Sequence, residues 1–125
     1  MNEFLLIGAG AVAGANVRYW LTNYFLQRFG ASLPYGTIFI NITGSFLLGF
    51  ALVVLADRFV DDTTYRLLIG TGFMGAYTTF STFSYDTMVL LERGDVMPAL
   101  LNVGVSVAGS LLAAYLGIVV GRLLG

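Results

Sequence analysis

Four long apolar stretches, at 4–26, 37–56, 67–91 and 99–123, alternate with short polar separators at 27–36, 57–66 and 92–98. Each stretch approaches the ~20 residues that a helix needs to cross the hydrocarbon core of a bilayer. The separators hold most of the charges and both prolines, Pro34 and Pro98. Links this short make neighbouring helices antiparallel. The pattern predicts an all-α membrane protein, with residues 1–125 forming one four-helix transmembrane domain.

The third stretch breaks the pattern. As unbroken helix its 25 residues would measure about 37 Å, longer than a ~30 Å hydrocarbon core. It contains Gly70, Gly72 and Gly75, followed by the β-branched pair Thr78 and Thr79. A break between Gly75 and Thr79 would shorten the span and free backbone carbonyls to bind something; tilt is the alternative. From Thr78 to Ser84 the chain also sets five hydroxyls and two phenylalanines in seven residues without a charge. Hydroxyls at mid-membrane depth must find partners that lipid does not offer, so this segment points to a pore or a binding site.

Composition narrows the function. The chain of 125 residues is 58% hydrophobic and 10% charged, with a mean hydropathy of +0.85; a soluble domain carries roughly 25% charged residues. It has no cysteine, histidine or lysine. That removes disulfides, thiolate nucleophiles, histidine bases, Schiff-base lysines and nearly all zinc sites, so the chain is not expected to be an enzyme. A net charge of −1 offers no basic face to nucleic acid. The Met-Asn-Glu start is acidic and leads into an apolar run too long for a cleavable signal, so the first span is expected to be retained.

Arginine placement bears on topology. With four spans, Arg58, Arg66 and Arg122 share one side, while Arg28 and Arg93 share the other, joined by Arg18 if it snorkels that way. Such a balance gives the positive-inside rule no preference. Insertion in both orientations follows, with opposite copies pairing as an antiparallel, dual-topology homodimer. Gly10-xxx-Gly14 and Gly117-xxx-Gly121 are small-xxx-small pairs that favour close helix contact. The run Gly8, Gly10, Ala13 imitates a dinucleotide fingerprint. That reading fails because no acidic residue lies between Glu3 and Asp57 to hold a ribose.

Two further spans carry neutral polar stripes at a spacing of four. They are Thr37, Asn41 and Ser45 in the second, and Asn102, Ser106 and Ser110 in the fourth. Either alone is satisfied by interhelical hydrogen bonding, at roughly 0.6 kcal/mol apiece; with the third span they read as a polar track. Phe80 and Phe83 lie three apart on one helix face. Their positive ring edges attract an anion while staying dry. Serine, threonine and asparagine donate to an anion without a fixed charge that would hold it too tightly to leave. A cation or proton-coupled exporter would be expected to carry a carboxylate deep in a span, but Asp86 lies toward the end of the third and Glu3 at the boundary of the first. Arg18 could lend positive potential to a vestibule.

These residues carry a resemblance. Gly72-Phe-Met-Gly-Ala-Tyr-Thr-Thr-Phe-Ser-Thr-Phe83 closely resembles the third-helix signature of the Fluc (CrcB) fluoride channels. The stretch around Arg18 and the one from Gly36 through Asn41 and Gly44 are similar to the same family in the first and second spans. The likeness covers essentially the whole chain. It implies an antiparallel dual-topology homodimer, multi-pass in a prokaryotic inner or plasma membrane, with two pores exporting fluoride passively to give fluoride resistance. It further implies that Phe80 and Phe83 line the pore, that Asn41 stands beside the path, and that Ser106 and Ser110 form the polar track. Ser81 and Thr82 belong to the same route, which the stripe extends to Thr37. Arg18 is implied at the vestibule. A structural sodium ion is implied at the centre, held by backbone carbonyls of Gly75 and Thr78 at a break in the third helix. Asn102 and Tyr115 compete for one place on the fourth-helix track.

Small multidrug exporters share the four short spans, but need a membrane-embedded glutamate that the first span lacks beyond Glu3. An accessory subunit would explain the spans and glycines, not three polar stripes. The expected partners are therefore fluoride, a second copy of the chain and membrane lipid.

Overall fold

A computed structural model describes residues 2–58 and 63–124. Every regular element among them is helical: α1 (Glu3–Phe29), α2 (Tyr35–Arg58), a π-helical segment (Arg66–Met74), the single turn α3 (Gly75–Tyr77), α4 (Phe80–Glu92) and α5 (Val96–Leu124). Local chemistry sets several ends. The Asn2 side chain caps α1 by accepting from the Phe4 amide at 2.7 Å, and Gly30, at φ 78°, closes it. Positive φ carries no Cβ penalty at glycine. Gly94, at φ 83°, turns the chain from α4 toward α5 in the same way.

Three helices, α1, α2 and α5, are long and apolar enough to cross a membrane. They overrun the expected spans at both ends, because the apolar pattern marks the buried stretch while the helix continues into its polar caps. The remaining span, expected at 67–91, consists of the π-helical segment, α3 and α4 in succession.

Helix α2 packs most extensively against α5, and α1 against the π-helical segment. Glycine permits both contacts. A Cβ on Gly10 or Gly14 would run into the backbone of Leu68 or Phe73, and one on Gly117 into the Phe46 carbonyl. Both small-xxx-small pairs thus work within one chain. Gly72 answers from the other side, where a Cβ would stand 2.7 Å from the Ile7 carbonyl. The core at this crossing is Ile40, Met74 and Tyr77, with Val17, Leu21, Leu48 and Phe73 against it. By contrast α4 has slight contact with α5 and less with α2. Large apolar side chains such as Phe4, Leu111, Leu112 and Leu123 face outward, as suits a chain whose solvent is lipid.

Candidate functional site

Helical backbone stops at Tyr77 and resumes at Phe80. Between them Thr78 (φ −81°, ψ 156°) and Thr79 (φ −152°, ψ 121°) are extended. Extended residues cannot satisfy their own polar groups, so side chains must do it. The Asn41 amide reaches across from α2, donating from Nδ2 to the Thr79 carbonyl at 2.9 Å. Its Oδ1 accepts from the Thr79 amide at 2.8 Å. This two-point pairing imitates a rung of a β-ladder. Thr79 in turn caps α4, its hydroxyl accepting from the Thr82 amide at 3.2 Å.

The end of α3 is secured separately. Both the amide and the hydroxyl of Thr78 donate to the Met74 carbonyl, at 3.1 and 3.0 Å. Arg18 Nε donates to the Ala76 carbonyl at 3.0 Å. Arg18 therefore spends a hydrogen bond on the last turn of α3, in a half-buried position. The carbonyls of Gly75 and Thr78 accept no hydrogen bond among the described residues. The amides of Phe80 and Ser81 open α4, where no intrahelical partner is available to them. Carbonyl oxygens at one helix end carry partial negative charge, and N–H groups at the other carry partial positive charge. The interruption sets both beside each other at the level of the polar residues.

A cavity of about 320 Å³ opens against this interruption, lined by Asn41, Ser45, Thr78, Thr79, Phe80, Phe83, Ser106, Val107, Ser110 and Leu111. It unites five residues expected to share a site from three different spans: Asn41, Phe80, Phe83, Ser106 and Ser110. The two rings stand 5.5 Å apart between centroids at 48°. Phe83 is 9% exposed and Phe80 77%, so one ring closes the cavity and the other projects outward.

Thr37 and Thr82 lie elsewhere. They line a second cavity of about 270 Å³ with Thr22, Asp86 and Arg93, where the Thr37 hydroxyl donates to Asp86 Oδ2 at 3.3 Å. The stripe of α2 is thus divided between two cavities, joined by the Thr79 and Thr82 hydroxyls at 3.1 Å. Ser81 is exposed, with its hydroxyl 3.3 Å from that of Thr79. Gly75 lines a separate depression beside Leu48, Leu52 and Arg66. On α5, Asn102 is fully buried and bonded to Ser106, whereas Tyr115 is exposed.

Sequence reasoning missed Thr79 as a site residue, along with Thr87 and the contact of Thr37 with Asp86. The signal for Thr79 was present, since threonine three residues before Thr82 at a helix start is capping chemistry. Thr79, the partner of Asn41, and Thr87, one partner of Asn102, come from the third span, beyond any local pattern.

Residues 5–118 match the family described as CrcB-like protein, Camphor Resistance (CrcB). The chain belongs to the CrcB family. Among CrcB relatives, a protein of Methylococcus capsulatus named fluoride-specific ion channel FluC is 46% identical over 93% of this chain. The chain spans about half the length of that relative, 51%. A protein of the same name from Rhizobium meliloti is 42% identical over 98% of both chains. Another from Methanocaldococcus jannaschii is 47% identical over 94% of this chain and 92% of its own.

Proposed function

We infer that this CrcB-family protein is a fluoride channel of the cell membrane, passing the ion down its electrochemical gradient without ATP or proton coupling. The observation that carries this reading is the 320 Å³ cavity. It joins a phenylalanine pair, serine hydroxyls and the N-terminal end of a helix, with no charged side chain in its lining. Fluoride is small and strongly hydrated, so donors must replace its water. Ring edges and helix N–H groups supply positive potential without a fixed cation. The names of the relatives, ion channels rather than enzymes, agree with it.

The finer reading is of an antiparallel homodimer with two pores, inserted in both orientations in a prokaryotic inner membrane. The outward ring of Phe80 and the sparse packing of α4 favour a second copy against that face. A structural sodium ion fits the chemistry of the interruption. Gly75 and Thr78 offer neutral, hard carbonyl oxygens that accept no hydrogen bond among the described residues. Such oxygens replace the water of a monovalent cation. Bound there, sodium would neutralise the carbonyl end of α3 and hold the two copies together.

The test is efflux from liposomes loaded with fluoride or chloride, followed by ion-selective electrode. Wild-type protein is expected to release fluoride far faster than chloride, and Phe80→Ile or Phe83→Ile to abolish release with assembly intact. Equal release of both ions would overturn the fluoride reading, and undiminished efflux in either variant the role of the rings.

A further inference from the structure

Asn102 on α5 is 0% exposed and lines none of the described cavities, yet it stands one helical turn before Ser106, which does. Its amide joins three other groups in a line. The Ser106 hydroxyl donates to Asn102 Oδ1 at 3.2 Å, Asn102 Nδ2 donates to the Thr87 hydroxyl at 2.9 Å, and that hydroxyl donates to the Phe83 carbonyl at 2.8 Å. All the donors point one way, from the cavity toward α4. A serine hydroxyl has a single proton. In this arrangement Ser106 spends it on Asn102 and leaves only lone pairs for the cavity, which repel an anion.

The same positions accept a second arrangement of protons. When the Asn102 amide turns over, Nδ2 donates to Ser106 and Oδ1 accepts from the Thr87 hydroxyl. Thr87 then releases the Phe83 carbonyl, which keeps its ordinary helical partner, the amide four residues on. Ser106 is free to aim its proton into the cavity, and no buried polar atom loses its last partner. Turning Ser106 alone would instead strand the Asn102 oxygen in a fully buried place, a costly loss. A hydroxyl that accepts a hydrogen bond is also the stronger donor.

We propose that Asn102 is a positioning residue of the anion path. With Thr87 it forms a reversible hydrogen-bond relay that turns the Ser106 proton toward the cavity when an anion arrives and away from it when the anion leaves. This rests on the fluoride-channel reading above. An amide suits the task because it carries donor and acceptor on one rotatable group; an ionised carboxylate only accepts, and leucine does neither. The relay keeps the path attractive to an anion without a permanent donor to trap it.

A double-mutant cycle on fluoride efflux from liposomes separates this role from plain packing. Ser106→Ala is expected to slow efflux about tenfold, the worth of one hydrogen bond to a charged group. Asn102→Leu leaves the Ser106 proton permanently in the cavity, the trapping donor that the relay avoids, and is expected to slow efflux by about the same factor. If Asn102 acts through Ser106, adding Asn102→Leu to Ser106→Ala changes efflux by less than about twofold. Thr87→Val should behave as Asn102→Leu does, and Thr87→Ser, which keeps the hydroxyl, should restore efflux to within about twofold of wild type. An additive loss of about a hundredfold in the double variant overturns the relay and leaves the channel reading standing. Wild-type protein that releases no fluoride overturns both. Should Asn102→Leu fail to assemble on gel filtration, the Thr87→Val and Ser106→Ala pair decides by the same rule.

Discussion

At the scale of single residues, Asn41 has the largest structural duty in the site. Its amide supplies the donor and the acceptor that an extended Thr79 lacks, at 2.9 and 2.8 Å. Asn41→Leu is nearly isosteric and removes both bonds, leaving the Thr79 amide and carbonyl without these partners. Each stranded group costs about 1–3 kcal/mol, so loss of the folded protein is expected. Asn41→Asp keeps the acceptor for the Thr79 amide and should be intermediate. Thermal unfolding in detergent, followed by gel filtration, ranks the two; a leucine variant as stable as wild type would refute the clamp. That Asn41 belonged to the site was legible in the sequence, through its place in a polar stripe. That both ends of its amide are spent on Thr79 was not, because the partner lies 38 residues away.

At the scale of elements, the contacts of α1 rest on where a side chain is missing. Gly8 and Gly10 are two positions apart in the same run, yet a Cβ on Gly8 meets nothing within 4 Å, while one on Gly10 meets backbone of the π-helical segment. Backbone cannot rotate aside as a side chain can. Gly10→Ala must therefore push α1 off its partner, at a cost of about 1–3 kcal/mol, whereas Gly8→Ala leaves the fold of the chain unchanged. The yield of folded protein on gel filtration compares them, and equal yields would contradict the packing described. The small-xxx-small spacing marked Gly10 and Gly14 as contact positions but left the partner open. The third span shows a similar division. Its glycines and threonines signalled irregular backbone, while the π-helical geometry at Arg66–Met74, packed against α1, was not legible in them.

At the scale of the whole molecule, the apolar exterior and the arginine distribution govern insertion. Arg18 keeps its charge but bonds the Ala76 carbonyl from a position well inside α1, so it sits at neither flank. Its removal from the balance leaves Arg58, Arg66 and Arg122 against Arg28 and Arg93, still too small a difference to fix one orientation. A C-terminal tag is thus expected to be reachable by protease from both faces of the membrane in separate copies, and tags confined to one face would exclude dual topology. The sequence by itself determined that the chain is helical, that it is built for lipid, and which polar residues are out of place in that solvent. Hydropathy and helical period are local properties and need no partner to be read. Tertiary structure alone decided how those polar residues are shared. It sent Asn41 to Thr79, Arg18 to Ala76 and Thr37 to Asp86, divided one stripe between two cavities, and linked Ser106 through Asn102 to Thr87. The reason is physical: a buried polar group bonds to whichever partner packing brings within about 3 Å, and sequence spacing does not encode that distance between separate helices.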